Sequence, residues 1–280
     1  MQPRSGLVAL VAFFFAVPGQ RTFATNQSAD FSYADYATVL SRFIDAAGMV
    51  DYKKLKAAPD KLNAFVDVMD GLDPNSFGSW SENDKLAFWL NAYNGLTLKA
   101  IIGNYPIDPS GFKSFYYPSN SIRQIPGVWD KLKFNIMGAD YTLEHIEHQI
   151  LRVEFDEPRI HMAMVCAAMG CPQLRNEPYL AEKLSEQLDD QTRRFLADPT
   201  KFSIDRDAHV VHLSSIFKWF GDDFVGKYGP QKNIGRHNNK TSAVLNFIAG
   251  YLEQAETEYI LKGNFKVYYL KYDWSLNEQN

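Results

Sequence analysis

KLAFWLNAYNGLTLKAII, residues 85–102, decides the fold. At about 100° per residue its apolar side chains cover nearly the whole circumference. A helix with no face to show water belongs in the middle of a molecule. Ser81 opens it, with Asp84 three residues on in a capping-box-like arrangement. Asn91 and Asn94 project from one flank, and buried amides must find partners. They either tie the core to a loop or present amides to a site. Gly95 beside them lets another backbone or a ligand come close.

Outward from that helix, residues 33–47 and 60–69 read as amphipathic helices. Residues 104–126 carry four prolines, one glycine and five aromatics, the composition of a packed, ordered loop rather than a tether. Residues 133–137 read as a strand that turns at Gly138 into a helix over 142–153, and residues 159–167 as a further strand. Pro178 starts a helix running to about Ala197, and residues 202–205 and 209–213 make a hairpin. A helix over 241–252 and a strand over 265–271 (FKVYYLK) finish the chain. Helices come first and strands cluster later. The expected class is α+β: a mostly helical single domain with a buried central helix and a small, largely antiparallel sheet.

Residues 1–24 read as a signal peptide. Arg4 gives a positive start, GLVALVAFFFAV follows, Pro18 and Gly19 break the run, and Thr22-Phe23-Ala24 offers small residues for cleavage. The run is shorter than the roughly 20 residues that span a bilayer. An exported product is expected, periplasmic or secreted, with residues 25–280 as one globular domain and no integral membrane segment once the leader is removed. Net charge is −4 with no basic stripe, so nucleic acid is not an expected partner. With 46% hydrophobic residues the remainder can bury a substantial core. A small molecule or a peptide is the expected ligand, and no cofactor is expected.

The reactive chemistry concentrates in residues 159–175, RIHMAMVCAAMGCPQLR, which hold both cysteines of the chain. A thiol needs a nearby base or cation to become a useful nucleophile. On a regular strand His161 and Cys166 would face opposite sides. Either the strand bulges and His161 serves, or His148 reaches Cys166 from the preceding helix; Arg152, Arg159 or Arg175 supplies the cation. In residues 142–153, TLEHIEHQILRV, Leu143, Ile146, Ile150 and Leu151 form a core face, and Glu147 falls inside it, where a carboxylate must be paired or neutral. Glu144, His148 and Arg152 follow at four-residue steps, which an ordinary salt-bridged face also explains. Cys166 and Cys171 form either a disulfide or a working site; no strong zinc spacing is present, so no metal is expected. Asp222-Asp223 caps a short helix or orients a histidine, and Asp273-Trp274 tethers the terminus or supports a site from behind.

The segments AFWLNAYNGLTLKAII, TLEHIEHQILR, RIHMAMVCAAMGCPQLR, HLSSIFKWFGDDF and YLKYDWSLN occur in this order. Together, from about residue 30 to the end, the chain resembles the domain of unknown function 547 family, which brings no settled activity. The resemblance implies recurrent polar positions at Asn91, Asn94, Glu147, His148, Arg152, His161 and Cys166. It implies a variable Cys171-Pro172 pair, which favours Cys166 as the working thiol. The leading expectation is a thiol-dependent hydrolase or acyltransferase acting on an amide or ester. Cys166 is its nucleophile, His148 or His161 its base, Glu147 the group that holds the imidazole, Asn91 or Asn94 the oxyanion donor, and Arg152 and Arg175 supporting cations. The alternative is a non-catalytic binding or scaffolding domain in which these residues satisfy one another and Cys166 is a small buried hydrophobe.

Overall fold

In the computed structural model residues 31–109 and 115–279 are described. The leader read over residues 1–24 lies outside them. The central helix runs Glu82–Asn104, and the Ser81 hydroxyl accepts the Asp84 N–H at 3.2 Å. Between Leu86 and Ile102 only Lys99 escapes full burial, as a helix apolar on all sides requires. Helix Asp60–Asp70 crosses it at Gly95. A Cβ there would stand 2.8 Å from the Phe65 ring, so this glycine serves helix–helix contact. No helix among the described residues is long and apolar enough to cross a membrane.

The α+β class holds, with the strands in two small sheets. Phe134–Ile136 pairs antiparallel with Ala139–Tyr141. Phe202–Asp205 pairs antiparallel with Val210–Leu213, Phe202 opposite Leu213. Lys266–Tyr269 then joins Val210–Leu213 in parallel. Helices Asn239–Ala249 and Gln254–Lys262 lie between those last two strands, and a helical crossover of that kind returns the chain in the same direction.

Two expectations for local structure fail for identifiable reasons. Residues 159–167 are not a strand. Pro158–Met162 is a 3-10 turn, with proline at its start and the Glu157 side chain accepting the Arg159 N–H at 3.1 Å. The chain after Pro178 stays extended to Leu180, makes a 3-10 turn over Ala181–Lys183, and the regular helix begins only at Leu184, ending at Ala197. There the backbone is held from outside: Asn91 bonds Tyr179, and Gln187 bonds Pro178 and Leu180.

Two apolar cores adjoin. One surrounds the central helix; the other gathers Phe217, Phe224 and Phe247 with the C-terminal helices. Tyr272 packs against both. The C-terminal tail stitches across them, with Met169 N–H donating to Ser275 O and Gly170 N–H to Asp273 O, each at 2.8 Å.

Candidate active site

The seam between the two cores holds a cavity of about 440 Å³. Cys166, Cys171 and Pro172 line it, and its walls include Glu147, His148, His161, Trp219, Phe220 and Trp274. Because residues 158–162 turn instead of running straight, His161 and Cys166 reach one cavity despite the alternation that a strand would impose.

Both cysteines are unbridged thiols. Tyr272 stands between them: its hydroxyl donates to Cys171 Sγ at 3.1 Å and contacts Cys166 Sγ at 3.3 Å. Cys171 Sγ also accepts the Cys166 backbone N–H at 3.0 Å. Burial raises the Cys171 thiol, but its hydrogen bonds from the Cys166 thiol, the Tyr272 hydroxyl and the backbone outweigh burial, and it falls below its ordinary value. Cys166 moves the other way, raised well above its ordinary value by the adjacent Cys171 sulfur and by burial. Burial also keeps Tyr272 a hydroxyl donor by raising it. Since Tyr272 O–H donates to Cys171, the single Cys166 S–H is shared between the Cys171 sulfur and the Tyr272 oxygen. The three groups form one proton chain from Cys166 through Tyr272 to Cys171.

The loop that carries this arrangement is strained. Ala167, fully buried directly after Cys166, has φ +59°, a conformation L-residues rarely adopt. The tail holds it there, through Asn277 N–H to Ala167 O and the Ala168–Leu276 bridge. A Cβ on Gly170 would lie 2.7 Å from three atoms of the Tyr272 ring. Gly170→Ala is therefore expected to push Tyr272 off the sulfurs, costing about 1–3 kcal/mol of stability. It should also raise the pH midpoint of thiol alkylation, because the hydroxyl lowers both thiols. Tyr272→Phe should give the same midpoint change without the steric cost; an unchanged midpoint in both variants would remove Tyr272 from this role.

The wall residues are organised by Asp223. His161 is almost wholly buried, stacked on Phe220 at 4.4 Å between ring centres, with Nε2 2.8 Å from Asp223 Oδ2. Arg152 grips the same carboxylate through Nε at 2.7 Å and a second nitrogen at 2.9 Å. Although burial alone would raise it, the hydrogen bonds from His161 and Arg152 hold the Asp223 carboxyl far below the usual carboxylate range. An ionised carboxylate only accepts, so the His161 ring proton sits on Nε2 and Nδ1 is the nitrogen left for the cavity. Asp223 thus orients a histidine and does not cap a helix; its neighbour Asp222 pairs with Lys240.

His148 and Glu147 sit on a π-helical segment, Ile146–Leu151, closed by Arg152 N–H to Glu147 O at 3.1 Å. The wider turn brings neighbouring side chains closer in direction than an α-helix does, so both reach the cavity while Ile146, Ile150 and Leu151 stay in the core. Glu147 therefore stands at the cavity wall and not within the core face. It accepts the Tyr93 hydroxyl at 2.9 Å and lies 4.0 Å from His148 Nε2. His148 Nδ1 accepts from Arg152 at 2.7 Å, which puts the proton of the neutral ring on Nε2. Neither imidazole hydrogen-bonds Cys166, whose sulfur partners are Tyr272 and Cys171.

Three expected site residues lie elsewhere. Asn91 spends both ends of its amide on the Tyr179 backbone, at 2.8 and 2.9 Å. Asn94 does the same with Ala163 O and Val165 N–H, at 3.0 and 2.9 Å. With donor and acceptor so occupied in the core, neither amide is available to an oxyanion. Arg175 is spent on Glu177 and Asp190, away from the cavity. The residues that sequence reasoning passed over are Tyr93, Tyr272, Arg123 and the aromatic wall. Trp219, Phe220, Asp223, Tyr272 and Trp274 all lie in two late motifs read mainly as cap and tether, and nothing local in them signals convergence on Cys166.

Residues 77–196 match the family model described as protein of unknown function, DUF547. Over that segment the chain resembles the DUF547 family. No curated protein and no solved structure matches the chain. The DUF547 segment contains the central helix, the π segment and both cysteines. Asp223, Trp219, Tyr272 and Trp274 lie beyond it, so the cavity is built from the DUF547 segment and the chain that follows.

Proposed function

We propose that this cavity belongs to a thiol-dependent enzyme that transfers or hydrolyses the acyl group of an amide or ester. The observation that carries the reading is the meeting, in one cavity, of a half-buried thiol, a proton chain leading from it, and a histidine oriented by a carboxylate. A scaffold accounts for Asn91 and Asn94, but it has no use for an open cavity over two reduced thiols.

In this reading Cys171, the lowered of the two thiols, starts as a thiolate, and Cys166 passes its proton to Tyr272 as Tyr272 passes its own to the Cys171 sulfur. The Cys166 sulfur then forms a bond to the substrate carbonyl carbon, and the carbonyl π pair moves onto oxygen. Collapse of the adduct breaks the bond to the leaving nitrogen or oxygen, which takes a proton from a protonated wall imidazole, that of His161. Water or another nucleophile attacks the thioester, giving its proton back to that imidazole. Cys166 departs and recovers its proton from Cys171 through Tyr272. Transfer and hydrolysis differ only in the second nucleophile.

The test pairs labelling with turnover. Folded, reduced protein is alkylated at graded pH, and mass spectrometry locates the label. One label on Cys166 is expected in the folded protein, with an apparent midpoint above the free-thiol value of about 8.5, because Cys171 and burial raise this thiol. p-Nitrophenyl esters should then release a burst of nitrophenol near one equivalent, abolished by Cys166→Ser. Thiols that stay unlabelled until denaturant is added, or a burst that survives the serine substitution, would end the proposal.

A further inference from the structure

We infer that the substrate carries a carboxylate and that Arg123 binds it. This rests on the reading of the cavity as a substrate site and names the class of substrate it takes. Arg123 stands on a 3-10 turn, Ile122–Gln124, fixed by Ser121, whose hydroxyl accepts the Arg123 N–H at 3.2 Å. Its guanidinium carbon lies 4.6 Å from the Trp274 ring centre, 4.7 Å from Tyr117 and 5.3 Å from Trp129. One nitrogen donates to the Tyr117 hydroxyl at 2.8 Å.

What this cation lacks is a counter-ion. Among the described residues no carboxylate pairs with Arg123. Every other arginine considered for the site is spent: Arg152 on Asp223, Arg159 on Glu157 and Asp189, Arg175 on Glu177 and Asp190. Asp130 and Glu144 line the same cavity and form no ion pair with it. A permanently charged, half-buried group is costly unless an anion neutralises it. Cation–π contacts with three rings offset part of that cost. None of these contacts uses the N–H groups on its in-plane edge, of which Tyr117 takes one.

That edge is what distinguishes the ligand. The N–H groups not used by Tyr117 form a planar fork that matches a carboxylate in two parallel hydrogen bonds. The distance to the chemistry is short. Trp274 packs on Arg123 and also on the Tyr272 ring, at 4.6 Å between ring centres, and Tyr272 reaches both sulfurs. One indole therefore separates the anion-binding edge from the thiols. A small amide or ester with a carboxylate a few bonds from its carbonyl spans the two.

Benzoate, benzamide and phenyl phosphate serve as probes, titrated against the full chain carrying Cys166→Ser and followed by tryptophan fluorescence. Benzoate is expected to saturate, with benzamide at least about tenfold weaker. Arg123→Gln should abolish that preference, and Arg123→Lys should keep part of it, with near-UV circular dichroism reporting the fold. Equal binding of benzoate and benzamide overturns the inference without needing any Arg123 variant. So does a folded Arg123→Gln protein that still prefers benzoate. Phenyl phosphate binding more than about tenfold tighter than benzoate overturns the carboxylate in favour of a phosphate. The serine variant has no nucleophile, so a failed anion site leaves the thiol proposal standing, and a failed ester burst leaves the anion site standing.

Discussion

Asp223→Ala is expected to lower the stability of the folded protein by about 2–3 kcal/mol. One carboxylate answers three donors, two from Arg152 and one from His161. Removing it leaves a half-buried guanidinium and an almost fully buried imidazole without their acceptor. At this chain length that corresponds to a fall in Tm of roughly 5–10 °C. The pH dependence identifies the cause. The folded Asp223 carboxyl is held well below its unfolded value by burial-opposed hydrogen bonds from His161 and Arg152. Its contribution is therefore fully present above the unfolded value of about 3.9 and is lost as pH falls below it. Melts of wild type and Asp223→Ala should differ most between pH 5 and 7 and converge on acidification below about pH 4. A gap that stays constant down to pH 3 would assign the loss to packing instead. The same variant should also slow the ester burst, since His161 loses the partner that fixes its tautomer.

Asn94→Ala should cost more, about 3–4 kcal/mol, or roughly 10 °C in Tm. Both backbone groups that Asn94 serves, Ala163 C=O and Val165 N–H, are buried with the amide as their hydrogen-bond partner. Each is left unsatisfied by alanine, and an orphaned buried polar group costs about 1–3 kcal/mol. The consequence reaches the site through the chain, because Val165 precedes Cys166. A loosened segment should expose Cys166, so alkylation should become faster even as the melt falls. Asn94→Asp separates the two halves of the amide: it keeps the acceptor for Val165 and loses the donor to Ala163. Its loss should be intermediate only if the carboxyl is protonated, so it should grow as pH rises. An Asn94→Ala protein with an unchanged melt and unchanged labelling would mean that water replaces the amide and the helix does not hold the loop.

The two variants probe different supports of one cavity. Asn94 fixes the cysteine segment from the central helix, and Asp223 fixes the histidine wall from the second core. Tyr272, backed by Gly170, joins the sulfurs from the C-terminal tail. Aromatic rings link the two thiols to Arg123, with Trp274 stacked on Trp219 at 6.1 Å and packed on Tyr272. Rings that hold one another in this way keep the cavity open without polar bonds that a ligand would have to break.

The sequence by itself determined what repeats at helical or strand period and what a single residue type forces. Residues 85–102 are apolar on every side, so burial of that helix followed from composition alone. Asn91 and Asn94 had to find partners once it was buried. The hairpin at 202–213 followed from two short β-prone runs about a turn, and the concentration of both cysteines near His161 marked the candidate site. Tertiary structure decided the rest. Whether buried amides bond backbone or face a ligand depends on which loop passes the helix, and here Tyr179 and Ala163 to Val165 do. The turn at Pro158 overrode the β-propensity of residues 159–167 because proline and the Glu157 cap fix the local backbone before neighbouring strands can pair. Cys166 meets Tyr272, 106 residues away, and His161 meets Asp223, 62 residues away. No local pattern encodes such pairings, because they arise where two cores close on each other and the side chains left in the seam must satisfy one another.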